Sequence, residues 1–136
     1  MNVRRILLGG LAAGLAMNLL DFVTNAILFK KAWADAYAAL HLAPSDAAVG
    51  GFWTAFDLLA GILIAFLYAA MRPRFGAGVR TAVIAGGVEW LLVHMTLGSH
   101  FVDGVFPAGA LLGTGALELV SAVLGGVVAG KLYVEA

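Results

Sequence analysis

The stretch Asn18-Leu19-Leu20-Asp21-Phe22-Val23-Thr24-Asn25 puts one carboxylate and two amides inside a hydrophobic run that opens at Ile6 and closes at Phe29. A run of about 24 residues is long enough to cross the roughly 30 Å hydrocarbon core of a bilayer as a helix. An ionisable side chain within such a span is costly, and it marks a candidate functional site. At about 100° per residue, Asn18, Asp21 and Asn25 fall within an arc of roughly 60°, with Gly10 and Gly14 beside them. One face of this helix is therefore small and polar, and the other is Leu, Ile, Val and Phe.

Composition extends that reading to the whole chain. Of 136 residues, 62% are hydrophobic and only 12% charged, and the mean hydropathy is +0.99. That is too apolar for a water-soluble domain of this size, so the chain reads as a membrane protein in contact with a lipid bilayer. Eight basic and eight acidic residues cancel, and no net field points to nucleic acid. With no cysteine there are no disulfides, thiolate metal sites or cysteine nucleophiles.

Four spans follow from the hydrophobic pattern, at about 6–29, 48–70, 81–97 and 108–132. The start of the first, with Arg4 and Arg5 before it and Ala12, Ala13 and Ala16 within it, also has the form of a secretory signal peptide. Its apolar run is longer than a signal core and ends in Lys30-Lys31, as a span does. Between the first two spans, Trp33, Tyr37 and Leu40 share one face of a predicted short helix at the membrane interface. Pro44-Ser45-Asp46 then supplies a stop and helix caps. Gly98 to Pro107 reads as a loop.

Counted by side, Arg4, Arg5, Arg72, Arg74, Arg80 and Lys131 fall at one end and Lys30 and Lys31 at the other. The excess of basic residues on the cytoplasmic side places both termini in the cytoplasm. Lys30 and Lys31 reach headgroups by extending along the helix. The two halves are also faintly alike, since Thr54-Ala55-Phe56-Asp57-Leu58-Leu59 aligns with Gly115-Ala116-Leu117-Glu118-Leu119-Val120, the arrangement of a parallel duplication.

Each span carries one acid: Asp21, Asp57, Glu89 and Glu118. At about 1.5 Å per residue their depths are roughly 22, 21, 14 and 18 Å from the cytoplasmic boundary, so they share a level. Each also lies on its helix's stripe of Gly, Ala, Ser or Thr, the stripe that lets membrane helices approach closely. Four acids facing lipid would cost on the order of 10 kcal/mol, so they are expected to face one another. No Lys or Arg lies near their level to balance them, since Lys131 stands at the very end of the fourth span. Four clustered carboxylates cannot all be ionised in a low dielectric. Either most are protonated, or a proton or hard divalent cation such as Mg²⁺, Ca²⁺ or Mn²⁺ occupies a site among them. Two plainer readings stand beside this. Protonated carboxyls bonded to Asn18, Asn25, Thr54 or Ser121 would simply hold a bundle together. Alternatively, the acids form a docking stripe, in a homo-oligomer or an accessory subunit of a larger membrane complex.

The histidines fit less well. His94 matches the acids in depth but lies about 140° around from Glu89, so a straight helix is expected to point it elsewhere. His41, His100 and Asp103 fall on the outer side, where two imidazoles and a carboxylate form a weak candidate metal set. No P-loop, dinucleotide glycine pattern, HExxH or GxSxG is present. Catalytic chemistry has no support in the sequence.

Leu28-Phe29-Lys30-Lys31-Ala32-Trp33 at the end of the first span and Leu97-Gly98-Ser99-His100-Phe101-Val102-Asp103-Gly104 after the third are motifs of a second kind. In their order the chain resembles a functionally uncharacterised family of small bacterial four-span integral membrane proteins. Asp21 stands where that pattern carries an apolar residue. The resemblance implies an all-α, four-transmembrane-helix bundle in the cytoplasmic (inner) membrane, and no particular activity.

Overall fold

The computed structural model describes residues 1–135, and among them there is no strand. Helix α1 (Val3–Phe22) starts on Asn2, whose side chain accepts the Arg5 N–H at 3.2 Å, and it runs without a break into a π-helical turn, Val23–Leu28. Helix α2 (Lys30–Ala39) is short. Helix α3 (Asp46–Phe75) is capped by Ser45, whose hydroxyl accepts the Ala48 N–H, and α4 (Val79–Val102) and α5 (Ala108–Leu132) complete the chain. The α1 segment with its π turn, α3, α4 and α5 are each long and apolar enough to cross a membrane.

The observed helices overrun the expected spans at several ends. Helix α3 continues past Ala70 through Pro73, because a proline in the last turn forfeits only one backbone bond where the helix is about to stop. The stop is Gly76, with φ of +84°, a conformation that side chains disfavour. Helix α4 likewise continues through Gly98 and Ser99, expected as loop. There the Ser99 hydroxyl donates to the Thr96 carbonyl at 2.8 Å, and the chain turns only at Gly104.

The four long helices form a ring in which α1 packs on α3 and α5, and α4 packs on α5 and α3. Both hairpins close by backbone contact. A Cβ on Gly14 would sit 2.6 Å from the Asp57 carbonyl oxygen, and one on Gly61 would strike the backbone of Gly10 and Gly14. Across the ring, a Cβ on Gly86 would strike the Ala122 carbonyl and one on Gly126 the Ala82 carbonyl. Such proximity maximises dispersion contact between helices and is the packing mode of membrane bundles.

The interior is consequently made of small residues. Ala13, Ala65, Ala69, Ala85 and Ala129 are fully buried with Ile64, while Leu7, Leu15, Leu19, Phe22, Leu59 and Leu92 face outward. A water-soluble bundle has the opposite arrangement. The apolar coat and the small polar interior are those of a molecule whose solvent is lipid.

The amino terminus, the α3–α4 turn and the carboxy-terminal segment meet at one end. The Asn2 N–H donates to the Tyr133 hydroxyl at 3.1 Å, and the Gly78 N–H donates to the Tyr68 hydroxyl at 3.2 Å. Tyr68 and Tyr133 pack edge to face, and Glu135 pairs with the Met1 amine and Arg72. At the other end α2 packs on the π turn and on the loop between α4 and α5. Its aromatic face exists as expected, but Trp33 and Tyr37 turn inward onto Phe106, with ring centroids 5.6 and 6.3 Å apart, and Leu40 is left exposed. Edge-to-face contact with Phe106 holds both rings against the α4–α5 loop.

The glycine contacts carry a direct test. Gly61→Ala is expected to destabilise the bundle by about 1–3 kcal/mol, since its Cβ meets backbone that cannot yield. Gly87→Ala, at a site with no neighbour within 4 Å, is expected to be neutral or stabilising by up to about 1 kcal/mol. Unfolding in detergent, followed by far-UV circular dichroism, checks the pair.

Candidate functional site

All four acids lie on the faces that the small-residue stripes bury. Asp57 and Glu89 are only 7% and 4% exposed, Asp21 and Glu118 are partly buried, and every pairing among the four is within electrostatic reach. Glu89 sits with Ala82, Ala85 and Gly86 on α4, and Asp57 with Gly61 on α3, as their helical phase requires. The carboxylates are not gathered into a shell, however. Among the described residues, no group of three or more His, Cys, Asp or Glu side chains is close enough to hold a metal ion, and this covers His41, His100 and Asp103 as well. His100 packs edge to face on Phe106 instead.

What the helices assemble is a hydrogen-bonded chain centred on Glu118. The Asn25 amide donates to Glu118 Oε1 at 3.3 Å and to the Asp21 carbonyl at 3.1 Å. Its oxygen accepts the Trp33 indole N–H at 2.9 Å. Because an indole nitrogen can only donate, this contact fixes which way the amide faces. Asn25 lies within the π turn, a local widening often found where a helix presents a side chain for use.

The second Glu118 oxygen, Oε2, lies 3.1 Å from Nε2 of His94, the residue that helical phase had placed elsewhere. Its phase relative to Glu89 is as expected. The correction concerns what occupies that other side, since α4 presents Glu89 and His94 to different parts of the ring. Gly115 makes the approach possible, for a Cβ there would stand 3.1 Å from the imidazole. Trp90 stacks on the ring with centroids 4.6 Å apart and donates its indole N–H to the Gly115 carbonyl at 2.8 Å. A clue was present in the sequence, because Trp90 and His94 are four apart on α4 and Gly115 and Glu118 three apart on α5, spacings that pair side chains.

Proton placement follows from these partners. His94 Nδ1 lies 2.9 Å from the Trp90 carbonyl, which can only accept, so Nδ1 carries a hydrogen. Between Nε2 and Oε2 there must then be one more proton. Held on oxygen it makes a neutral pair, and held on nitrogen it makes an imidazolium beside a carboxylate. The side chains are 18% and 25% exposed, so the second form is an ion pair with little solvent.

The other expected partners serve the backbone. Asn18 donates to the carbonyls of Thr54 at 3.1 Å and Gly14 at 3.5 Å, and the Thr54 side chain itself is exposed. The Ser121 hydroxyl stands between the Met17 carbonyl, at 3.4 Å, and the Asp21 carboxylate. Its one hydrogen serves one acceptor at a time, and Asp21 Oδ1 is buried with no partner. Asp57 and Glu89 accept no hydrogen bond from the described residues.

The chain matches no family model, no curated protein and no solved structure.

Asn25→Leu leaves both the Trp33 indole N–H and Glu118 Oε1 without partners, and is expected to cost about 1–3 kcal/mol. Trp33→Phe removes the donor and keeps the aromatic contact with Phe106, at about 1 kcal/mol. Unfolding midpoints, together with the shift of the Trp33 indole N–H resonance in the Asn25 variant, check both.

Proposed function

We propose that the chain is a small multi-pass integral membrane protein of a bacterial cytoplasmic membrane, with both termini inside, whose polar centre binds and exchanges protons. The supporting observation is the Glu118–His94 pair, which the donor and acceptor chemistry of its neighbours requires to hold one proton between two atoms 3.1 Å apart. Histidine changes charge near neutral pH, and the other three carboxylates stand near enough to feel any change of charge on that pair. An intramembrane carboxylate with a histidine partner is the form proton relays take. The basic flanks Arg4, Arg5, Arg72, Arg74, Arg80 and Lys131 support the orientation.

Proton uptake is measurable directly. When lightly buffered protein in neutral detergent is brought down through the range in which histidine titrates, a pH-indicating dye is expected to show about one proton more taken up per chain by the parent than by a variant with Glu118→Gln and His94→Gln, which removes both atoms able to hold the shared proton. Glu118→Gln with His94→Phe, which keeps a ring against Trp90, is the second variant if the first does not fold. Equal uptake by parent and variants refutes the reading and leaves the acids as packing groups.

A further inference from the structure

The balanced charge of the chain conceals a layered distribution. At the end where the termini meet stand Arg4, Arg5, Arg72, Arg74, Arg80 and Lys131 against one described acid, Glu135; the middle carries four acids and no base; the far end has Lys30 and Lys31 against Asp35, Asp46 and Asp103. Glu135 is already engaged by the Met1 amine at 3.5 Å and by Arg72 at 3.3 Å. Arg4, Arg5, Arg74, Arg80 and Lys131 are all exposed, and none forms an ion pair among the described residues.

A groove opens between α4 and α5 at this same end. Its volume is about 80 Å³, and it is lined by Gly78, Val79, Ala82, Val127, Gly130 and Lys131. The walls are apolar, and Lys131 is the one charged group on them. A narrow apolar slot with a cationic rim matches a ligand that joins an anionic phosphate to hydrocarbon. Basic pockets between helices at the cytoplasmic face take lipid headgroups of this kind.

We propose that this groove and its rim bind an anionic phospholipid, its phosphate against Lys131 and the start of one acyl chain along Val79, Ala82 and Val127. The proposal rests on the membrane reading and is independent of the proton chemistry. A zwitterionic lipid offers no net charge to five cations that form no ion pair among the described residues. Inorganic phosphate offers nothing to the apolar walls.

Thermal unfolding of the full chain in uncharged detergent, with phosphatidylglycerol, phosphatidylcholine or inorganic phosphate added, tests the site. Phosphatidylglycerol is expected to raise the midpoint several degrees beyond phosphatidylcholine. Lys131→Gln is expected to lose at least half of that difference, and Lys30→Gln with Lys31→Gln at the opposite end to keep it. The proposal is overturned if the two lipids act alike, if the far-end variant loses as much, or if phosphate alone reproduces the shift. Flotation with phosphatidylcholine vesicles separates the premises. A chain that fails to float refutes membrane residence itself, whereas one that floats but gains nothing from phosphatidylglycerol refutes only the headgroup site.

Discussion

Backbone meets backbone at two places in this molecule, Gly10 and Gly14 against Gly61, and Gly86 and Gly126 against Ala122 and Ala82. Everything else depends on these approaches. Lipid gives membrane helices no hydrophobic reason to associate, so dispersion between closely apposed chains has to supply the attraction. A methyl group at any of the central glycines would hold the helices apart. The polar side chains one or two turns away would then lose their partners along with the packing.

The polar centre shows how closely the two levels are linked. His94 reaches Glu118 only because Gly115 leaves room for an imidazole between α4 and α5. Asn25 reaches the other Glu118 oxygen from a π turn whose amide is oriented by Trp33, a residue of α2. Three helices and α2 therefore converge on one carboxyl group. Of the remaining acids, Asp57 and Glu89 accept no hydrogen bond from the described residues, and Asp21 has only the Ser121 hydroxyl beside it. One Asp21 oxygen is buried and unpartnered.

Much of this was legible in the sequence, for identifiable reasons. Span number, the buried face of each helix and the burial of Asp57 and Glu89 follow from periodicity, because a helix repeats its faces without reference to its neighbours. Rise per residue puts the four acids near one another, and they lie within electrostatic reach without forming a shell. What one helix cannot report is the neighbour facing its second side, and for that reason His94 was placed away from the acids although its own phase was right. The same limit applies to Ser121, whose hydroxyl has the Met17 carbonyl as well as Asp21 within reach, and to Thr54, whose side chain is exposed while its carbonyl accepts from Asn18. Helix ends were misjudged at Gly98 and Pro73, where residues that usually interrupt a helix lie close enough to its end to cost little.

The inverted interior has a bearing on how such a chain changes over time. Its outward face is Leu, Val, Ile, Phe and Met with no protein partner, and any of these replaces any other with small effect on the fold. At the close approaches the inward face accepts only Gly and Ala. The identity of the bundle thus resides in the spacing of a dozen or so small and polar residues, roughly a tenth of the chain. Two descendants of one ancestor can keep every helix contact and every proton position while sharing few letters elsewhere, so kinship among proteins of this build is recorded in intervals between glycines more durably than in residue-by-residue likeness.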